Sequence, residues 1–140
     1  MNSYTYEEIS IGQTERFSVT VTEDMQDAFR KITGDFNPLH ADAEFASRNG
    51  HEGCVVFGML TMSFLSTLAG MYLPGKNSLI QKVDGKLRKP VYIGDTLTVE
   101  GKVSDKSDAV HVITVKYTIT NRDGEKVAKG EMQIGVENYE

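Results

Sequence analysis

The sequence predicts an α+β domain in which a curved antiparallel sheet wraps around one long central helix. Its 140 residues suffice for one domain with a sizeable core and are too few for two ordinary domains. A long apolar helix is predicted over residues 59–71, and apolar residues alternate with polar ones through most of the chain after residue 78. The sequence has no internal repeat, low-complexity tract or linker, so we expect a single domain over residues 1–140.

The composition excludes disordered and nucleic-acid-binding classes of protein. Hydrophobic residues make up 39% and charged residues 25% of the chain, as in ordinary globular proteins. The net charge of −5 argues against nucleic acid as a partner, because phosphate binding needs a basic surface.

The sequence also predicts the cellular compartment of the protein. Cys54 is the only cysteine, so it cannot form an internal disulfide, and no zinc-ligand pattern is present. The N-terminus lacks the basic and apolar regions of a signal peptide, and polar residues interrupt the most hydrophobic stretch, 54–73. We therefore expect a cytoplasmic protein with no metal and no contact with membranes.

The first quarter of the chain is predicted to form a strand and an amphipathic helix. Residues 14–21 alternate weakly, as expected of a strand. Thr22 suits the N-cap of the helix that follows, and Gly34 suits its left-handed C-terminal stop. The apolar stripe of this helix comprises Met25, Ala28, Phe29 and Ile32. Asp35 is therefore expected just after the helix ends.

The central helix is preceded by two shorter predicted elements. These are a short helix over 42–48 and an extended segment over 54–57. Gly58 is expected to open the central helix, which is apolar on nearly every side from residue 59 to residue 71. Because a helix with no polar face must be surrounded by protein, this helix is predicted to form the core.

The C-terminal half is predicted to form the sheet. Apolar residues alternate over 79–87, 97–103 and 110–119, with a change of phase near residue 112 that predicts either a β-bulge or burial of both faces of the strand. Residues 122–125 are a hairpin signal. The inward face of the last strand comprises Ala128, Met132, Ile134 and Val136. Short turns between consecutive strands imply an antiparallel meander, which curls around the helix in a hot-dog fold. Its unpaired edges lead us to expect a homodimer.

Residues 33–40, Thr-Gly-Asp-Phe-Asn-Pro-Leu-His, carry the strongest functional signal in the chain. They bring a carboxylate (Asp35), a carboxamide (Asn37) and an imidazole (His40) into one stretch. Pro38 fixes its own φ and restricts the backbone of Asn37, so the loop is stiff. A stiff loop that holds an acid and a histidine suits general acid–base catalysis. Taken singly, these residue types serve turns more often than chemistry.

The stretch 32–40, followed by Ala46, resembles the hydratase motif of the MaoC-like family, which includes (R)-specific enoyl-CoA hydratases. The resemblance continues through 56–61, 73–75 and 89–95. The Gly-Asp-Phe-Asn-Pro-Leu-His run is specific because it fixes a rare combination of residues, whereas the later strands match only as a pattern. The resemblance implies a hot-dog enzyme that hydrates trans-2-enoyl-CoA to (R)-3-hydroxyacyl-CoA, or catalyses the reverse dehydration, without a cofactor.

The resemblance implies a role for each matching residue. The catalytic aspartate and histidine of the family fall on Asp35 and His40, and the motif asparagine falls on Asn37. Gly58 matches the glycine whose backbone N–H binds the thioester carbonyl at the start of the central helix. Ser66 aligns with a serine near the catalytic pair.

Phe57 departs from the family pattern, in which many members carry histidine before that glycine. Phenylalanine cannot donate a hydrogen bond, so this position cannot polarise the carbonyl here. We assign Ser66, Phe57 and Met59 to the substrate-binding surface. Met59, together with Met62 and Met71 at helical spacing, fits either core packing or the lining of an acyl tunnel.

Several other polar residues have a structural and a functional interpretation. Three cationic residues share one face of a predicted strand, with a fourth beside them: Lys82, Lys86, Arg88 and Lys89. They fit contact with the phosphates of CoA, but the intervening Asp84 favours a solvated strand face. His51 and His111 are predicted to be polar surface residues.

Two rival functions stand beside hydration. The first is a hot-dog acyl-CoA thioesterase, and the second is an acyl-thioester-binding module without turnover. The Asp-x-Asn-x-x-His run argues against the thioesterase, because hot-dog thioesterases generally lack it. The intact set of Asp35, Asn37 and His40 argues against a module without turnover. The thioester carrier, CoA or acyl carrier protein, stays open, although the charge of −5 mildly disfavours an acidic carrier protein.

Overall fold

In the computed structural model, which describes residues 1–139, an antiparallel sheet curves around the central helix. The helices are α1 (Glu23–Thr33), α2 (Ala43–Arg48) and α3 (Gly58–Thr67), with a 3₁₀ turn at Pro38–His40 and a π-helical turn at Leu68–Tyr72. The strands are β1 (Thr14–Thr20), β2 (Ser78–Leu87), β3 (Thr96–Ser107), β4 (Val112–Thr120) and β5 (Lys126–Val136). The predicted α+β class and the wrapping of a sheet around one helix are confirmed.

The strands lie in the order β1-β3-β4-β5-β2, and every neighbouring pair is antiparallel. The predicted meander is correct for β3, β4 and β5. It is wrong for β2, because this strand pairs with β5 at the far edge of the sheet and not with β3, the next strand in the chain. Period-two alternation identifies a strand but does not identify its neighbour. The two edges of the sheet are therefore β1 and β2.

Helix α1 forms where its end signals predict it. The Thr22 side chain accepts a hydrogen bond from the Met25 N–H at 3.2 Å, and Gly34 has a left-handed φ of 72°. The predicted apolar stripe is wrong at Ile32, which is 81% exposed, whereas Gln26 is only 3% exposed. Gln26 is buried where an apolar residue would be expected, because its side chain has hydrogen-bond partners inside the fold.

Helix α3 supplies the centre of the core but is not enclosed on every side. Leu60, Leu65 and Leu68 are buried against the sheet. Met59 is 66% exposed, so the prediction that protein surrounds the whole helix is wrong for the chain by itself. The exposed residues of α3 are Met59, Ser63 and Ser66, so this side of the helix combines a large apolar side chain with two serines and is not covered by the described chain.

Strand β2 shares this exposure. Val83 and Leu87 lie on the inner face of the strand and are 45% and 51% exposed, whereas Leu79, beyond the register shift between Ile80 and Lys82, lies on the opposite face and is 49% exposed. An unpaired edge strand of ten residues with an open apolar face is a surface on which a second chain can pair.

The remaining predictions differ in outcome. The hairpin at residues 122–125 is confirmed, with Gly124 at a φ of 77°. The bulge predicted near residue 112 is wrong, because β4 begins at Val112 and Val110 lies in the preceding turn. The register instead shifts at three other places, between Ile80 and Lys82, Val103 and Asp105, and Ile119 and Thr120. The predicted extended segment 54–57 contributes only an isolated bridge between Val55 and Tyr92.

Candidate active site

His40 lies in a pocket of about 280 Å³ where three segments meet. These segments are the 3₁₀ turn, the N-terminus of α3 and the end of β2. The lining includes His40, Gly58, Thr61, Leu87, Arg88 and Pro90. The fold thus brings together two residues predicted from different parts of the sequence, His40 and Gly58.

The imidazole of His40 is held in one tautomer. Its Nδ1 lies 2.7 Å from the carbonyl oxygen of Val55. A carbonyl oxygen only accepts hydrogen bonds, so Nδ1 carries the proton and donates it. The lone pair of the neutral ring is then at Nε2, which is free to accept a proton from another group.

The ring of His40 also rests on an aromatic surface. Its centroid lies 4.1 Å from that of the Phe57 ring at an interplanar angle of 31°. Phe57 is itself packed against Phe29, with ring centroids 5.1 Å apart, and is only 3% exposed. Phe57 therefore lies behind the imidazole, and it presents little surface to a ligand.

Gln26 is a buried residue that joins the separate parts of this site. Its Nε2 donates to the carbonyl oxygens of His40 at 3.1 Å and Val55 at 3.0 Å. Its Oε1 accepts from the Phe57 N–H at 3.2 Å. One side chain on α1 thereby fixes the backbone of His40, the acceptor of its Nδ1 and the residue before Gly58. Arg30 adds a second donor to the His40 carbonyl at 3.2 Å.

Asp35 and Asn37 shape the turn that carries His40. Asp35 Oδ1 accepts from the Asn37 N–H at 3.0 Å, and Asn37 Oδ1 accepts from the Leu39 N–H at 2.9 Å. Asn37 thus caps the 3₁₀ turn rather than contacting the imidazole through its side chain. Asp35 and Asn37 are exposed, and Asp35 does not belong to the lining of the His40 pocket. Phe36, between them, is 71% exposed.

Gly58 begins α3 at the pocket. No side chain among residues 1–139 caps this helix end, and its N-cap is Phe57. The first N–H groups of a helix have no partner within the helix, and the helix dipole adds positive potential there. A Cβ at position 58 would lie 2.6 Å from Leu87 Cδ1, so glycine allows β2 to approach the helix closely. The arrangement is suited to binding an oxygen with negative charge.

The other predicted substrate-binding residues lie further along α3. Met59 and Ser66 are exposed, at i and i+7, and Met62 lies between them on the same side of the helix. This is the open side described above. Neither Met59 nor Ser66 lines the His40 pocket in the described chain.

Two residues at the site, Gln26 and Thr61, were not predicted from the sequence. Gln26 gave no signal beyond its spacing of i, i+3 with Phe29. Thr61 is 1% exposed, lines the pocket, and has no hydrogen-bond partner for its hydroxyl among the described residues. A buried hydroxyl without a partner costs free energy, so this group is available to a ligand or a water molecule.

The cationic residues near the pocket divide into two groups. Arg88 and Lys89 belong to the lining, and Lys89 forms an ion pair with Glu125. That hydrogen bond holds the pKa of Glu125 below its usual range. Lys82 and Lys86 alternate with Val83 and Leu87 along β2 and so project from the opposite face of the sheet.

The predicted surface position of His111 is wrong. The residue is half-buried in the turn before β4, with a φ of 51°, and its ring stacks on Tyr6 at a centroid distance of 4.3 Å.

Within residues 1–139, no cluster of three or more His, Cys, Asp and Glu side chains is placed to hold a metal ion. No helix in this part of the chain combines the length and apolar character needed to cross a membrane.

Comparisons with known proteins converge on one family. The family model described as "MaoC like domain" matches residues 7–124. The (R)-specific enoyl-CoA hydratase of Aeromonas caviae is 33% identical over 126 residues, which cover 90% of this chain and 94% of that protein. The mitochondrial 3-hydroxyacyl-acyl-carrier-protein dehydratase of Solanum lycopersicum is 33% identical over 125 residues, 88% of this chain and 74% of that protein. The solved structure of the A. caviae (R)-hydratase superposes with a TM-score of 0.89 at 32% identity, covering 93% and 98% of the two chains.

Proposed function

Because the chain belongs to the MaoC-like domain family, we propose that Asp35 and His40 activate the water in its reaction. The chain is a hydro-lyase. It adds water to trans-2-enoyl-CoA to give (R)-3-hydroxyacyl-CoA and catalyses the reverse dehydration.

The observation that carries the proposal is the fixed tautomer of His40. With Nδ1 bonded to the Val55 carbonyl, Nε2 takes a proton from water as the oxygen of that water attacks C3 of the substrate. The proton is then returned to C2, so one O–H bond and the C2=C3 π bond break while a C3–O bond and a C2–H bond form. The imidazolium formed in between keeps its hydrogen bond to Val55.

Asp35 has the second role in water activation. Its carboxylate lies in the turn that leads directly into the 3₁₀ helix of His40. It accepts the other hydrogen of the attacking water and so orients the oxygen toward C3. Asn37 holds this turn through its bond to the Leu39 N–H and thereby sets the position of both groups. Proton transfer by positioned groups of this kind contributes about 10²–10⁴-fold to a rate.

The N–H of Gly58 stabilises the charge that forms on the substrate. Attack at C3 moves electrons to the thioester oxygen, and an enolate forms before C2 is protonated. An N–H at the start of α3 meets this oxygen, supported by the helix dipole. Phe57 supports the imidazole from behind, since its ring is buried against His40.

A second copy of the chain completes the site. Asp35 is exposed, and apolar Ile32 and Phe36 beside it are 81% and 71% exposed. Water must be excluded from an acid–base site for its electrostatics to act strongly. Pairing through the β2 edge covers Val83 and Met59 as well, so we propose a homodimer. Met59 and Ser66 then contact the substrate along the covered side of α3.

The carrier is assigned to CoA, with acyl carrier protein as the second candidate. Arg88 and Lys89 line the pocket, where they can meet the phosphates that both carriers present. The tomato relative acts on an acyl-carrier-protein substrate by its name. The single cysteine, Cys54, fits a reducing compartment, and we place the enzyme in the cytoplasm.

The test is the loss of enone ultraviolet absorbance when the purified protein meets crotonyl-CoA, with chiral analysis of the product. Formation of (R)-3-hydroxybutyryl-CoA supports the proposal. Release of free CoA thiol would favour the thioesterase, and tight binding without conversion would favour the binding module. Either result would contradict the roles given to Asp35 and His40.

A further inference from the structure

Thr61 on α3 carries a buried hydroxyl that the fold leaves without a hydrogen bond. The residue is 1% exposed, and its Oγ1 has no partner among residues 1–139. This exposure is too small for bulk water to supply the missing bond. A buried hydroxyl in that state destabilises the fold, and threonine is also a weaker helix former than leucine or alanine. Stability alone therefore does not account for threonine at this position.

The backbone of α3 does not accept a hydrogen bond from this hydroxyl. A threonine in a helix often donates to the carbonyl four residues earlier, which here belongs to Phe57. That oxygen already accepts two hydrogen bonds, from the N–H groups of Leu60 at 3.0 Å and Thr61 at 3.1 Å, and a carbonyl oxygen has two lone pairs. On the same helix, Ser63 does donate its hydroxyl to the Leu60 carbonyl, at 2.6 Å. Thr61 differs because its usual acceptor is occupied.

The side chain of Thr61 lies over the end of α3 where the reacting groups meet. Thr61 and Gly58 are three residues apart and so share one face of the helix, and both line the pocket of His40. Side chains in a helix tilt toward its N-terminus, which directs Thr61 over the turn that contains Gly58. Glycine has no side chain to cover that turn. The Gly58 N–H and the Thr61 hydroxyl are therefore two donors on one wall of the pocket.

The other polar side chains of this lining have different partners or surroundings. Nδ1 of His40 is bonded to the Val55 carbonyl, and Nε2 is the proposed base. Lys89 forms an ion pair, and Arg88 is exposed to solvent. Among the described residues that line the pocket, Thr61 thus provides the buried side-chain donor that has no partner.

We propose that the Thr61 hydroxyl is the second hydrogen-bond donor to the thioester oxygen of the substrate, beside the Gly58 N–H. This inference rests on the proposed function, because it places the thioester at the start of α3. Attack of water at C3 turns the C2=C3 bond into a C1=C2 bond and leaves a negative charge on that oxygen. Donors that are already in position stabilise this charge more than they stabilise the neutral carbonyl. The hydroxyl keeps its proton throughout, and the charge leaves the oxygen when C2 is protonated.

The first test compares the hydration of crotonyl-CoA by Thr61→Val and Thr61→Ser. Valine has nearly the shape of threonine but no donor, so kcat is expected to fall about 10²–10³-fold with little change in KM. Serine keeps the donor and is expected to keep most of the rate. Thr67→Val is the control, since Thr67 is a half-buried threonine of the same helix outside the pocket, and it should keep the wild-type rate.

The stability of Thr61→Val separates this role from a structural one. The substitution replaces a buried hydroxyl that has no partner with a methyl group, so the variant should resist urea at least as well as the wild type. A variant that is less stable, or that does not fold, would show that the hydroxyl is satisfied inside the fold and would overturn the inference.

The carbonyl stretch of bound butyryl-CoA reports the hydrogen bond directly. Butyryl-CoA has no C2=C3 bond to hydrate, and an isotope label at C1 identifies its thioester carbonyl in difference infrared spectra. The stretch should lie at higher frequency on Thr61→Val than on the wild type and Thr61→Ser, because a hydrogen bond to the oxygen weakens the C=O bond.

An unchanged stretching frequency, or a wild-type kcat, in folded Thr61→Val would overturn the inference and leave the proposed function intact. Absence of crotonyl-CoA hydration by the wild type would instead contradict the proposed function and remove this inference with it.

Discussion

The Nδ1 atom of His40 lies 2.7 Å from the carbonyl oxygen of Val55, and the same oxygen accepts a second hydrogen bond from Gln26 at 3.0 Å. The imidazole is thus fixed through the nitrogen that does not react. Its orientation depends on α1, because Gln26 holds the acceptor in place.

Gln26→Leu should weaken both the site and the fold. The substitution leaves the Phe57 N–H buried without its side-chain partner, at a cost of about 1–3 kcal/mol. It also frees the segment that orients His40, so kcat should fall about 10- to 100-fold with little change in KM. Urea unfolding and steady-state kinetics on crotonyl-CoA measure the two effects. The control is Gln133→Leu at an exposed position of β5, and equal effects from both variants would refute the role of Gln26.

Phe57→Leu should reduce turnover by removing the surface on which His40 rests. The ring contact at 4.1 Å is lost, and the imidazole gains freedom about its side-chain bonds. We expect kcat to fall about 10-fold with little change in KM, because the substrate still binds but the imidazole is no longer held in position. Phe17→Leu, which removes a ring stacked on Tyr72 of the π-helical turn, is the control. A wild-type kcat in folded Phe57→Leu would show that Phe57 does not support the imidazole.

Leu79→Glu should separate the two copies of the proposed homodimer. Leu79 is 49% exposed on the edge strand β2, and a carboxylate there would be buried without a partner at the interface. The expected result in sedimentation velocity is a folded monomer, with hydration reduced because the site loses its cover. Val110→Glu, at a 67% exposed position in the turn before β4, should stay dimeric and active. A dimeric, fully active Leu79→Glu variant would exclude this edge as the interface.

Stability should fall at alkaline pH because of Tyr6. Burial, together with the hydrogen bond to Asp108, raises the pKa of its phenol to about 12, against about 10 in an unfolded chain. The folded state retains this proton where the unfolded state has lost it, so the contribution of Tyr6 is complete below about pH 10. It is lost as the pH rises toward about 12. Tyr6→Phe should flatten the fall in the free energy of unfolding above pH 10, measured by urea titration, and an equally steep fall would contradict the assignment.

The sequence predicts those parts of the fold that depend on local signals. Thr22 and Gly34 define the ends of α1 because capping and a left-handed stop are properties of single residues. The turn at Gly124 and the inward residues of β5 follow from the same kind of local rule. The octapeptide that contains His40 likewise gave the position of the candidate site.

Features that depend on tertiary partners were missed or wrong. Ile32 matched the helical stripe but is exposed, and Gln26 is buried, because its partners are carbonyls from residues 40 and 55. The position of β2 beside β5 could not be predicted, since alternation does not name a neighbour. Met59 was assigned to an enclosed helix, but the chain by itself leaves that side of α3 open.

The most direct measurement of the central claim is the rate of crotonyl-CoA hydration by Asp35→Asn beside the wild type. Asp24→Asn, an exposed carboxylate in the first turn of α1, is the matched control, and His40→Ala tests the other member of the pair. We predict that Asp35→Asn and His40→Ala keep the fold and each lose about 10²–10⁴-fold in kcat, while the control keeps its rate. Near-wild-type turnover by folded Asp35→Asn would remove Asp35 from the mechanism and contradict the acid–base pair.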